Sequence, residues 1–319
     1  MIKTENNPSS KSVLISPYAP HWPQMFEKES SLIKQALGKN CISIHHIGST
    51  SIPNLAAKPI IDMVPVVLDI KRVDTVTKKI EALGYTAQGE YGMPFRRYFQ
   101  KGTGVEGYHV HIFEDGNPEI DRHLRFRDWM RIHKDDREAY EALKKNLARQ
   151  FPNDRMAYCF GKVSFIEGIT KKSGFDGCRI LIALTEQEWE AYHRIREKQI
   201  FEPISVPYDR HHPSLSQKNH FHFVLYKGST IVSVAHIEFL NRTEAALRSL
   251  ATDESYKKQG YGSHMVKLLE KWIKHQGRSF LKMHARLSSE NFYRRLGYIE
   301  MPFEDPCIQK EYVNLGKVL

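Results

Sequence analysis

The run Lys257-Lys258-Gln259-Gly260-Tyr261-Gly262 carries the residue types that hold a phosphate. Gly260 and Gly262 have no Cβ to keep a ligand away from the backbone. The two lysines add positive charge. If a helix starts here, its first amides and its dipole also favour an anion. A tight turn with no ligand would use the same glycines, so both readings stand on these residues alone. A second phosphate-type turn is Gly48-Ser49-Thr50, with Asp62 on the apolar run that follows. His109 and His111 alternate in Tyr108–Phe113 and so share one face of a strand. With Asp62 they make a two-histidine, one-carboxylate set, which suits Zn, Mn or Fe more than Mg. The alternative is a pair of hydrogen-bonded or solvated histidines. Lys58, Arg96 and Arg97 are apt for phosphate or carboxylate contacts, or are solvated charge.

These residues need elements to place them. The glycine turn follows a strand, 245–252, and opens a helix reaching about His275. In that helix Met265, Val266, Leu268, Leu269, Trp272 and Ile273 recur at helical spacing. Gly277 is a natural stop. A strand over 230–240 puts His236 and Glu238 on one face, and Glu244 opens the next strand. A strand over 179–184 leads into a helix over 186–199. The loop 203–217, rich in proline, histidine and charge, shapes a surface in which Tyr208, Asp209, Arg210, His211 and His212 are candidate acceptor contacts. His211, His212, His220 and His222 do not converge on one ion from an extended chain, so no metal is expected there. In the first half, strands are expected over 42–47, 60–68 and 108–113. Helices are expected over 120–132, 139–150 and 156–170, with Asp135 and Asp136 favouring the start of the second.

The run LATDESYKKQGYGSHMVKLLEKW followed by NFYRRLGY resembles the GNAT acyltransferase family over about 177–319. The family signature is Arg/Gln-x-x-Gly-x-Gly/Ala, and here it reads Lys257-x-x-Gly260-x-Gly262; the lysine departs from the pattern. The resemblance implies a mostly antiparallel, splayed sheet flanked by helices, with acetyl-CoA as cofactor. It implies CoA contacts at Leu250, Ala251 and Thr252 and through Lys257–Gly262, a pantetheine contact at Asn291, and an amine as small-molecule acceptor. Tyr293 would protonate the leaving thiolate; the alternative is a core aromatic beside Phe292 and Leu296. Glu238 is the first choice of base, with His236 and Glu244 as alternatives. A direct transfer through a ternary complex is expected.

The run GSTSIPNLAAKPIID, with PYAPHWPQMFEKESSLI before it and YHVHIF after it, resembles the GrpB family over about 12–172. That family is a predicted branch of the nucleotidyltransferase superfamily, so a mixed sheet with helices is implied. The resemblance makes Gly48, Ser49 and Thr50 ligand contacts and Asp62 a metal ligand, with a nucleotide or other phosphorylated ligand and a divalent metal (Mg, Mn or Zn). The superfamily carries Asp-x-Asp/Glu here; this chain has Asp62-Met63-Val64, so the second carboxylate is missing.

The expected architecture is therefore α/β, more strictly α+β, in two domains: a lead-in over 1–11, a GrpB-like domain over 12–172, a linker over 173–177, and an acetyltransferase domain over 178–319. The expected function is acetyl transfer joined to a phospho-ligand domain. The alternatives are a metal-dependent nucleotidyltransferase with the second domain as modifier, and a non-catalytic sensor. At 319 residues, 41% hydrophobic and 26% charged, the chain is of globular composition. It has no apolar run of membrane-spanning length. The net charge of +10 is spread over both halves with no basic tail, so nucleic acid is not indicated. Cys41, Cys159, Cys178 and Cys307 are scattered without a CxxC, which suits a reducing cytoplasm. The residues leave the oligomeric state open.

Overall fold

The computed structural model describes residues 13–102, 106–305 and 311–319. The expected lead-in and Cys307 lie outside them. The described chain divides into two compact units, one ending at Arg179 and one starting at Ile180.

The first unit runs α1 (Trp22–Leu37), β1 (Cys41–Ile47), β2 (Ile60–Val67), α2 (Lys71–Glu81), β3 (Thr86–Ala87), β4 (Arg96–Gly102), β5 (Gly107–Glu114), α3 (Pro118–Ile132), α4 (Lys134–Gln150), α5 (Arg155–Phe160) and α6 (Val163–Lys172). The sheet order is β1-β2-β5-β4-β3. β2 is central and reads as a nearly continuous apolar run because both of its faces are covered. Asp62 is its one residue that is not fully buried. Side chains alternate across the strand. Ile61 and Met63 pack in the core under α1 and α2 with Trp22, Ile33, Val73 and Ile80. Val64 and Val66, on Asp62's side, pack instead with Ile47 and Phe113. β5 runs parallel to β2 and sets His109 beside Asp62.

Several expected spans differ. The helix expected over 156–170 is two helices, α5 and α6, broken at Gly161-Lys162. A Cβ on Gly161 would overlap Leu147 of α4, so the break lies where the chain presses on its neighbour. α4 begins earlier than residue 139, at Lys134, and α3 begins at Pro118 behind an Asn117 cap. The 173–177 stretch is not a free connector. Gly174 (φ +69°) ends α6, and Phe175 is buried.

The second unit runs β6 (Cys178–Ile182), α7 (Glu186–Arg196), β7 (His220–Lys227), β8 (Thr230–Phe239), β9 (Glu244–Thr252), α8 (Tyr261–His275), β10 (Phe280–Arg286), α9 (Glu290–Arg294), β11 (Ile299–Glu300) and β12 (Tyr312–Val318). The sheet order is β11-β12-β10-β9-β8-β7-β6. All its pairings from β7 to β9 are antiparallel, and β9 with β10 is parallel. A Thr185–Glu188 capping box starts α7. α7 is α-helical only to Arg196 and widens into a π-helical turn over Glu197–Phe201, so the helix expected to residue 199 changes geometry before its end. On α8, Met265, Val266, Leu269, Trp272 and Ile273 are buried, as their spacing predicts. Among the described residues no helix is long and apolar enough to cross a membrane.

Candidate functional site

In the second unit, β9 and β10 pair only at Glu244↔Phe280, Ala245↔Leu281 and Ala246↔Lys282. From Leu247 onward the two strands part, while β10 stays paired with β12. The edge of β9 carrying Leu250, Ala251 and Thr252 thus faces a wedge and offers backbone groups that no strand takes up. β9 also carries one extra residue: Ile237 pairs with Leu247, but His236 pairs with Ser249, so Arg248 is a bulge at the mouth of the wedge. Sequence reading missed Arg248, because a bulge leaves no pattern in a single strand's residues.

The glycine turn lies beyond the end of β9. Gly260 (φ +88°) is the N-cap of α8, no side chain caps the helix start, and no acid sits in its first turn. Lys258 also takes a left-handed backbone (φ +59°), a strained conformation for a lysine. A Cβ on Gly260 would meet nothing within 4 Å, whereas one on Gly262 would lie 3.4 Å from Thr252 Oγ1 and 3.6 Å from Phe292. Gly260 is thus needed for its backbone angle, whereas a Cβ at 262 would meet Thr252 and Phe292 only at ordinary contact distance. Lys257 is paired with Glu254 (2.6 Å), and Gln259 donates to the Ser255 carbonyl. Tyr261 begins α8.

Tyr293 on α9 is 8% exposed and packs edge-on against Phe292 and Tyr298. Burial holds its hydroxyl well above the ordinary tyrosine pKa, in the protonated form. Asn291 is exposed, and its carbonyl accepts from Arg295. Glu238 accepts from Arg248 Nε (2.6 Å) and Asn219 (3.1 Å), and lies 3.6 Å from His220 Nε2. Arg248 also pairs with Asp305. His220 Nδ1 meets His236 Nε2 at 2.7 Å, and His236 stacks on His222. Glu244 is held by Lys282 (2.6 Å) and Asn241 at the closed end of the wedge. His222 spends both nitrogens, Nε2 on the Ser214 carbonyl and Nδ1 on Tyr192; burial lowers its pKa to about 4, so it is neutral. Tyr208 bonds His193, Arg210 pairs with Glu190 and Glu197, Asp209 caps the His211 amide, and His212 bonds Ser214.

In the first unit, Asp62, His109 and His111 do converge, with ligand-type atoms within 4.8 Å of one another. Asp62 Oδ1 lies 3.1 Å from His109 Nδ1 and 3.7 Å from His111 Nε2. The far nitrogens decide what this cluster can do. His109 Nε2 faces Arg155 (3.0 Å) and His111 Nδ1 faces Arg96 (3.3 Å). A guanidinium only donates, so both far nitrogens accept, and each ring carries its proton on the side of Asp62. A metal-bound histidine is built the other way round: its bare nitrogen faces the metal and its far N–H donates to an oxygen. Arg96 is buried and also held by the carbonyls of Glu90 and Tyr91, so it is fixed in place. The three residues therefore do not fit a metal in this arrangement. Burial, opposed by Asp62 and assisted by Arg96, lowers the His111 pKa to about 4. Burial alone would raise the Asp62 pKa, but the two imidazoles outweigh it and keep the carboxylate ionised.

Of the other expected contacts, Ser49, Lys58 and Asp62 line one cavity. Thr50 is buried, with its hydroxyl on the Ile60 carbonyl and His46, so it braces the turn and does not line the cavity. Arg97 forms a two-pronged pair with Asp74 and Arg96 supports His111, so neither guanidinium is free for a ligand. Gly48 abuts the Asp62 side chain.

Comparison with known proteins agrees with both folds. The family model for GrpB protein matches residues 12–172, and the model for the acetyltransferase (GNAT) family matches residues 181–298. The chain belongs to the GrpB family and carries a GNAT acetyltransferase domain after it. It is 46% identical over 157 residues to the UPF0157 protein YqkA of Bacillus subtilis, covering 49% of this chain and 46% of that one. To a UPF0157 protein of Halalkalibacterium halodurans it is 36% identical over 169 residues, covering 53% of this chain and 86% of that protein. The crystal structure of conserved protein GrpB from Enterococcus faecalis is 42% identical, with 50% of this chain and 96% of that chain covered and a TM-score of 0.48. The chain thus spans less than half the length of the first of these relatives and most of the other two.

Proposed function

We propose that the second unit transfers an acetyl group from acetyl-CoA to the amine of a small-molecule acceptor. The observation that carries this reading is the parting of β9 from β10 after Ala246 and Lys282. The wedge offers unpaired backbone to the amide-bearing pantetheine arm, and beyond it the uncapped start of α8 at Gly260 suits the pyrophosphate. In the reaction a neutral amine attacks the thioester carbonyl, the new C–N bond forms and the C–S bond breaks. Tyr293 gives its proton to the departing thiolate. The proton lost by the amine passes to the Glu238–His220–His236 chain, directly or through one water. Glu244, held by Lys282 at the closed end of the wedge, is the weaker candidate for that role.

The test is calorimetry with acetyl-CoA on the whole chain, followed by thioester turnover against a panel of amines. Wild-type protein binds, and Gly260→Glu loses binding at least a hundredfold because a carboxylate then occupies the anion site. Absence of acetyl-CoA binding in the wild type would sink the reading, and binding with no turnover on any amine would make the unit a sensor.

For the first unit we propose binding of a phosphorylated ligand at the Gly48–Ser49 turn. Nucleotidyl transfer is not part of the proposal, because Asp62 has no second carboxylate on β2 and its histidines are set against a metal.

A further inference from the structure

The cavity beside Asp62 is about 180 Å³ and is walled by β2, β5, the helices α4 and α5, and Lys162 in the break before α6. Four cations reach it (Lys58, Lys144, Arg155 and Lys162), against one acid, Asp62. That acid already accepts from His109 (3.1 Å) and has His111 Nε2 at 3.7 Å. The ammonium groups of Lys58 and Lys162 lie 4.7 and 4.5 Å from the centre of the Tyr158 ring. Among the described residues neither ammonium has a carboxylate or carbonyl partner. Lys144 is 2% exposed and holds the Ala56 carbonyl. Lys144 is buried, Lys58 and Lys162 are half-buried and Arg155 is exposed; withdrawing the lysines from water is costly unless a counter-charge joins them.

We propose that this cavity is a metal-independent site for a phosphoryl group, bound by Lys58, Arg155 and Lys162 with the Ser49 hydroxyl. The proposal deepens the phospho-ligand reading of the first unit and is independent of acetyl transfer. Charge selects an anion of two or more negative charges, since the cations are in excess even after Asp62 is counted. Volume selects a phosphate or diphosphate group: pockets that enclose a drug-sized ligand run roughly 300–1,000 Å³, so a nucleoside part would lie outside. The histidines serve as supports. His109 takes its proton to Asp62 and presents its bare Nε2 to Arg155, which fixes that guanidinium at the cavity wall. A metal ion is unnecessary because the lysines and arginine supply the neutralising charge.

The test is calorimetric titration of the whole chain at pH 7 with inorganic phosphate and, separately, pyrophosphate, each with EDTA. The expected result is binding of at least one of the two anions in EDTA. That binding weakens tenfold or more in both Arg155→Ala and Lys162→Ala and is retained in Gly260→Glu, which disables the other phosphate turn. Acetyl-CoA binding measured on the same two variants stays within twofold of wild type and reports that they are folded. Binding only with added Mn²⁺ or Mg²⁺, loss in Gly260→Glu alone, or no binding at all would each overturn the proposal.

Discussion

Gly48 lies against Asp62 so closely that a Cβ on Gly48 would sit 2.5 Å from Asp62 Oδ2. The glycine also has φ +69° and ψ −174°, a region essentially confined to glycine. It is needed by the protein's own carboxylate, whatever ligand the turn also meets. Gly48→Ala should therefore cost about 1–3 kcal/mol in backbone strain and a further 1–3 kcal/mol or so from overlap. Gly38→Ala is the control: its φ is also positive, but nothing lies within 4 Å of its Cβ position. Hydrogen exchange of the β2 amides should show the larger loss of protection in Gly48→Ala.

Tyr293→Phe should lower kcat for acetyl transfer by about 10²-fold or more, the usual scale of a positioned general acid, with acetyl-CoA affinity within twofold. The ring stays in its packing against Phe292 and Tyr298, so only the hydroxyl is tested. An unchanged kcat would make Tyr293 a core aromatic.

The two glutamates should separate. Glu238→Gln keeps the shape of the Arg248 and Asn219 contacts but removes the charge beside His220, and kcat should fall at least tenfold. Glu244→Gln removes a charge pair with Lys282 and should leave kcat within twofold. The reverse ranking would move the base to the closed end of the wedge.

Phosphoryl binding in the first unit should depend on pH. Burial lowers the Lys58 pKa to about 8; Lys162 and Arg155 push the same way, while Cys159 and Asp62 oppose. Burial lowers the Lys144 pKa to about 7, with Lys162, Lys145 and Lys58 pushing the same way and Glu141 opposing. Only the protonated lysines attract an anion, so pyrophosphate affinity falls from pH 7 to 9, by up to about tenfold per pH unit for each proton lost. An anion raises both pKa values, so binding at pH 8 takes up protons. Calorimetry in buffers of different ionisation heat reads that uptake, and zero uptake would leave both lysines uninvolved.

Much of this was legible in the residues. The amphipathic spacing of Met265 to Ile273 gives α8, and alternation in YHVHIF gives His109 and His111 a common face. The join of α5 and α6 was not legible, since Gly161 breaks the helix where Leu147 presses on it, and that neighbour is distant in sequence. Arg96 and Arg97 read as ligand contacts because charge alone does not reveal a partner, and their partners His111 and Asp74 are set by pairing and packing. Lys144, Arg155 and Lys162 carried no motif and were missed for the same reason.

The sequence by itself determined α8, the strands that carry Asp62 and the two histidines, and the positions of the glycine turns, because helical period, strand alternation and glycine placement are local properties. It also brought Asp62 and two histidines forward as a set. Only the tertiary structure decided what that set does. The parallel register of β5 on β2 places the histidines beside Asp62, while Arg96 and Arg155 arrive from elsewhere and fix which nitrogens hold the protons. A proton's position depends on the partner at the far side of the ring, and that partner is chosen by the fold.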